Sequence, residues 1–246
     1  MERNMLETID LTKRYDNGVL AVNQLNLKVN KGEVYTMLGA NGAGKTTTVN
    51  LIFNFTPPTS GTAFVNGIDV DKDPLSAKKH LAFVSENVML YGNFTAIQNL
   101  DFFSKLGGKK DYSKNDYCDI LKRVGLPEES FRRRLKTFSK GMRQKCGIAI
   151  AIAKDADCIV LDEPTSGLDP KSGREFLNIL DELRKEGKAI LMTTHDIFRA
   201  KEIADRVGVM MQGNLVKEMD RKEIKKANLE EIYMEYVDRM EENSEA

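Results

Sequence analysis

Residues 39 to 48 read "GANGAGKTTT", three glycines and a lysine set directly before three threonines. Glycines let a backbone fold its N–H groups around an anion, a lysine adds a point charge, and a threonine hydroxyl is a ligand for a hard cation. The combination suits a nucleoside polyphosphate. Gly39, Asn41, Gly42, Ala43 and Gly44 form the cradle, Lys45 meets the β and γ phosphates, Thr46 meets Mg²⁺, and Thr47 lies near the α phosphate. A second constellation, "DCIVLDEPTSGLDP" at 157 to 170, ends a short apolar run with two adjacent carboxylates. Strand side chains alternate faces, so Asp162 and Glu163 leave the strand end in different directions. Asp162 then suits Mg²⁺ through a coordinated water, and Glu163 suits the water that attacks a γ phosphate. In "AILMTTHD", His195 follows another apolar run, where it can contact the γ phosphate.

These residues need elements to hold them. "GEVYTML" before the glycine loop has β character and "TTTVNLIFNF" after it has helical spacing, which is the strand, loop and helix context of a P-loop. Upstream the chain is β-rich. From about 87 to 156 the pattern turns helical, through "FTAIQNLDFFSKLG", "NDYCDILKRVG" and "KGMRQKCGIAIAIAKD". Strands and helices then alternate again. The expected fold is α/β: one P-loop cassette over 1–246, with an antiparallel β subdomain at the N-terminus and a helical subdomain inserted at 87–156. A C-terminal helical extension is expected at 217–246, with Leu229, Ile232, Tyr236 and Met240 at helical spacing.

Composition narrows the function classes. Lysine plus arginine number 37 and aspartate plus glutamate 37, so the whole chain offers nucleic acid or anionic lipid no general attraction. Three widely spaced cysteines and two histidines argue against a zinc site or a disulfide framework, and for a reducing compartment. The longest apolar runs, such as "IAIAIA" at 148 to 153, fall far short of the roughly 20 residues that span a bilayer.

In their order along the chain, these motifs resemble the ATP-binding cassette (ABC) ATPases. "GANGAGKTT" is similar to Walker A, "CIVLDE" to Walker B, "SGLD" at 166 to 169 to the D-loop, and His195 to the switch histidine. "FSKGMRQK", 138 to 145, resembles the family signature L-S-G-G-Q. The resemblance implies ATP and Mg²⁺ as ligands and hydrolysis to ADP and phosphate. It assigns Tyr15 to stacking on adenine, although an aromatic there equally suits a surface or core role. It places Ser139, Lys140, Gly141 and Met142 in a signature that acts on an opposite subunit, with Ser139 and Gly141 touching the γ phosphate held there, and Asp169 at the subunit boundary. Ser139 also reads as an ordinary helix N-cap, and both roles can hold together.

Three departures stand out: Ala40 where proline is common; Phe138, Lys140 and Met142 within the signature; and Glu86 where many relatives carry the Q-loop glutamine. Glu86 keeps an oxygen ligand for Mg²⁺ but adds a charge. The signature variant and Glu86 resemble the branch of ABC ATPases that serves exporter-like permeases. The resemblance therefore implies a homodimer driving a separate membrane permease from the cytoplasmic face, with no nucleic acid partner. A soluble ABC ATPase acting on ribosomes or nucleic acid is the alternative. Met89, Leu90, Tyr91 and Phe94 offer either a permease contact or packing for the helical lobe.

Overall fold

A computed structural model of the chain describes residues 4–109, 111–226 and 229–235. Two long strands open it, β1 (Asn4–Arg14) and β2 (Leu20–Asn30), followed by the short central strand β3 (Val34–Leu38) and helix α1 (Lys45–Ile52). Strands β4 (Ser60–Val65) and β5 (Ile68–Asp69) complete an antiparallel sheet in the order β2-β1-β4-β5. Helix α2 (Pro74–His80), begun by a proline and capped by Asp73, leads into β6 (Leu81–Val84).

Three helices follow: α3 (Ala96–Leu106), α4 (Lys114–Arg123) and α5 (Lys140–Lys154). Thr95 with Gln98, and Ser113 with Asp116, form reciprocal capping boxes that start α3 and α4. Their apolar faces meet α5 around Leu100, Tyr117, Leu121, Phe138 and Ile148. The chain returns through β7 (Cys158–Asp162), α6 (Pro170–Lys185), β8 (Ala189–Thr194), α7 (Ile197–Ile203), β9 (Arg206–Met211), β10 (Asn214–Asp220) and α8 (Arg221–Lys226).

The second sheet runs β10-β9-β3-β8-β7-β6, parallel from β9 to β6, with β10 as an antiparallel edge. Every residue of β3 and β8 is buried, as expected of strands covered on both faces. The α3 to α5 lobe shares one core with a face of this sheet, while the antiparallel sheet closes the other face.

Residues 217–220, expected within the C-terminal helix, complete β10 instead. "NLVKEMD" pairs antiparallel with β9 across the Gln212–Gly213 turn, and helix begins only at Arg221. Leu229 is buried and Ile232 packs against the same cluster, while Tyr236 and Met240 lie outside the described residues. No helix among the described residues is long and apolar enough to cross a membrane.

Candidate functional site

The strand order brings the chemistry together. β3 feeds the glycine loop, β8 ends at Thr194 beside it, and β7 ends at Asp162 one strand further on. All three present their carboxyl ends at the same edge, where open parallel sheets bind ligands.

The loop is built tightly. Gly42 and Gly44 have φ of 83° and 105°, left-handed values that side chains resist. A Cβ on Gly44 would lie 2.2 Å from the Ala21 carbonyl, and one on Gly39 would lie 2.4 Å from the Met210 carbonyl. The loop is thus pinched between the β1–β2 hairpin and β9. Backbone bonds fix it further: Gly39 N–H donates to the Thr194 carbonyl at 3.1 Å and Gly213 N–H to the Ala43 carbonyl at 2.9 Å. Asn41 and Gly42 form the exposed tip, with Ala43 buried behind it and Thr47 half-buried in α1.

Lys45 is nearly buried. Its Nζ donates to the carbonyls of Gly39 (2.7 Å) and Ala40 (3.1 Å) and lies 3.3 Å from Glu163 Oε1. Thr46 Oγ1 donates to Asp162 Oδ2 at 3.0 Å, so the hydroxyl and the carboxylate proposed for Mg²⁺ share one spot. Glu163 takes φ of 48°, a left-handed conformation costing roughly 1–2 kcal/mol for a residue with a Cβ. Two bonds from its N–H, to the carbonyl (3.1 Å) and hydroxyl (3.2 Å) of Thr193, hold it there. Its Oε2 meets Nδ1 of His195 at 3.0 Å. Its Oε1, buried, makes no hydrogen bond; the contact with Lys45 is an ion pair without donor alignment. A carboxylate fixed in this way beside a phosphate loop is suited to accept a proton from water.

Thr193 was missed by sequence reasoning. Fully buried, it also donates to Asp162 Oδ1 at 2.5 Å, and so sets the backbone of Glu163 and the carboxylate of Asp162 at once. The only signal is its position, two residues before His195.

The remaining predicted residues lie apart from this cluster. Tyr15 sits exposed on the hairpin whose Ala21 carbonyl roofs Gly44, with Lys13 Nζ 5.3 Å from its ring centroid. Ser139 caps α5 by accepting from Met142 N–H at 3.2 Å. A Cβ at Gly141 would meet Leu168 and Ser172, so the signature turn lies beside the start of α6. Asp169 is exposed and caps α6, accepting from the N–H groups of Lys171 and Ser172.

Glu86, expected among the Mg²⁺ ligands, has other partners. Its Oε1 accepts from Ser166 Oγ at 2.9 Å and from Lys140 Nζ at 3.3 Å. The Ser166 hydroxyl, foremost, and the Lys140 ammonium hold its carboxyl below the usual range. Two of the departures from the signature and Q-loop patterns are therefore one ion pair. Gln144, buried in α5, ties the same loop by donating to the carbonyls of Ser85 (3.0 Å) and Glu86 (2.8 Å).

Comparison with known proteins now decides the family: its model, described as ABC transporter, matches residues 22–166. The chain belongs to the ABC transporter family. It carries that family's ATP-binding, ATP-hydrolysing cassette. The bacitracin transport ATP-binding protein BcrA of Enterococcus faecalis is 36% identical over 225 residues, covering 91% of this chain and 72% of that protein. The ABC transporter ATP-binding protein NatA of Bacillus subtilis is 36% identical over 217 residues, covering 86% of this chain and 88% of that protein. A solved dimeric ATP-binding cassette in a post-hydrolysis state with ADP and Pi superposes with a TM-score of 0.80, at 26% identity, covering 88% of this chain and 99% of that one.

The apolar residues after Glu86 divide between two surroundings. Met89, 87% exposed, and Leu90 line a cleft of about 910 Å³ between α2, β6 and the helical lobe of the cassette. Tyr91 and Phe94 instead pack with tilted rings at 5.1 Å, and Tyr91 meets Phe102 edge-on at 5.0 Å.

Proposed function

We propose that two copies of this chain close head to tail around two ATP molecules and drive a separate membrane permease from its cytoplasmic face, in the export direction. Ser139, Lys140, Gly141 and Met142 of one copy complete the site of the other, and Asp169 lies at the boundary. The support is that the signature turn packs beside the start of α6, whereas the neighbours of the phosphate loop are the Ala21 and Met210 carbonyls.

Within one site, Lys45 neutralises phosphate charge and Tyr15 stacks on the base. Glu163 orients the attacking water while His195 holds its other oxygen and contacts the γ phosphate. Mg²⁺ would be held by the Thr46 hydroxyl and, through a water, by Asp162; bound there, it would supply positive charge to the β and γ phosphate oxygens. A set of one hydroxyl and one carboxylate fits this ion, which keeps several waters and takes few protein groups. Among the described residues no cluster of three histidine, cysteine or carboxylate groups offers an alternative.

The observation that carries the reading is Glu163, strained, unbonded at one oxygen and fixed between Lys45 and His195. Residues 87–156 act as the helical subdomain, and the cleft between it and β6 receives a permease helix at Met89 and Leu90. The relative named for bacitracin transport supports coupling to transport.

Glu163→Gln, purified from detergent-solubilised native membranes, tests the assembly. A polytopic membrane protein in near-equal amount is the expected companion. Recovery only from the soluble fraction with ribosomes or DNA-binding proteins would favour the alternative ABC ATPase instead.

A further inference from the structure

Against the ring assigned to adenine lies a cation that belongs to none of the nucleotide motifs. Lys13 Nζ stands over one face of Tyr15, 5.3 Å from the ring centroid. At that distance the negative face of an aromatic ring attracts an ammonium group. Lys13 is half-buried, and its Nζ also donates to the Pro57 carbonyl at 2.7 Å. The charge is therefore tethered at both ends, by the strand that carries it and by the loop that leaves α1.

That loop is stitched to the end of β1 by further bonds. Thr59 N–H donates to the Thr12 carbonyl at 2.8 Å, Arg14 N–H donates to Thr59 Oγ1 at 2.9 Å, and Thr59 Oγ1 donates to the Arg14 carbonyl at 3.2 Å. Tyr15 itself begins a tight turn, its N–H donating to the Val19 carbonyl and its carbonyl accepting from Gly18 N–H, both at 2.9 Å. These bonds fix the backbone of Tyr15. Its side chain, 38% exposed, keeps the torsional freedom of a surface aromatic except where Lys13 meets it. Because α1 opens with Lys45 and Thr46, the Pro57 bond also links the ring to the helix that carries the phosphate ligands.

We propose that Lys13 is a positioning residue for the base: its ammonium occupies one face of the Tyr15 ring and presents the other face to adenine. A ring held beforehand loses little freedom when a base stacks on it, so part of the ordering cost moves from binding to folding. A ring with one open face also accepts the base from one side only, which places base and triphosphate together. The inference rests on the stacking reading of Tyr15 and adds the group that holds the ring. Direct attraction of the triphosphate by the same cation makes a different prediction, since it would act equally on phosphates that carry no base.

Lys13→Met, which keeps a stem of similar length and removes the charge, is compared with Lys13→Arg, with Tyr15→Ala and with the Lys13→Met, Tyr15→Ala double variant. Turnover is measured across a range of ATP concentrations, with inorganic tripolyphosphate as a competitor lacking a base. Lys13→Met is expected to raise KM about 2–5-fold with kcat unchanged, the effect of a partly exposed cation–π contact. Lys13→Arg restores the parent KM, inhibition by tripolyphosphate stays at the parent value, and the methionine adds nothing once Tyr15 is alanine. An unchanged KM in Lys13→Met beside a raised KM in Tyr15→Ala would overturn the role of the lysine and leave stacking intact. An unchanged KM in both would remove stacking and the inference together. Weaker inhibition by tripolyphosphate, or the same loss with and without Tyr15, would overturn it in favour of direct attraction to phosphate. A lowered urea midpoint with a matching fall in kcat would overturn it in favour of a brace for the loop at Pro57.

Discussion

The nucleotide side and the signature side of the chain use the same local device, a turn that opens a helix, yet they are finished to different degrees. At the start of α1 nearly every polar group is engaged by the same chain: Lys45 by two carbonyls and Glu163, Thr46 by Asp162, and Asp162 and Glu163 by Thr193. At the start of α5, Ser139 is exposed and its one bond is a cap, while Lys140 is held by Glu86. The first end is built to act on what it holds. The second leaves Ser139 open to solvent, with the neighbouring cation held by Glu86.

The contrast can be broken most sharply at Glu163. Glu163→Gln should keep ATP binding, followed with a fluorescent analogue, while turnover falls by about 10²–10⁴-fold in a phosphate-release assay. Turnover near the parent rate would move the attacking-water role to another residue. Lys45→Ala should weaken ATP binding by about 10–100-fold, the worth of a charge-assisted bond. Undiminished affinity in calorimetry would mean that Lys45 serves the loop rather than the ligand. Thr193→Val removes the hydroxyl shared by the Asp162 carboxylate and the Glu163 N–H, which keep Thr46 and the Thr193 carbonyl as partners; a stability loss of about 0.5–1.5 kcal/mol in urea titration is expected. Turnover should also fall, by about tenfold or more as Glu163 drifts.

Effects on the signature side should be smaller and should appear only in pairing. Lys140→Met is expected to weaken ATP-driven dimerisation of a Glu163→Gln chain by about 3–10-fold in sedimentation, as befits a partly exposed charge contact, with single-chain ATP affinity unchanged. Glu86→Gln, which frees Lys140, should shift pairing the opposite way by about twofold. A change of the same sign in both variants would show that the ion pair supports the dimer as a unit.

Much of the nucleotide side was legible in the sequence because its parts are contiguous: a loop with its lysine and threonine, and a strand end with two carboxylates. What sequence could not supply was adjacency. β8 comes after β7 in the chain yet lies between it and β3, and that insertion is what sets Thr193 against the Asp162 carboxylate and the Glu163 backbone. Side-chain periodicity reports faces, not neighbours. The Glu86–Lys140 pair was hidden for the same reason, since it joins positions 54 residues apart. At 217–220 the expected helix gave way to strand because β9 offered an open edge and Gln212–Gly213 a turn, neither visible from local propensity.

The pinched glycine loop has a bearing on timing. Its shape is fixed by the Ala21 and Met210 carbonyls and by bonds from Gly39 and Gly213, all inside the chain. The ordering cost is met once, when the protein folds, and not again at each encounter with nucleotide. Entry and exit of ATP and ADP then need no refolding of the cradle, so the loop itself adds no ordering step to nucleotide exchange.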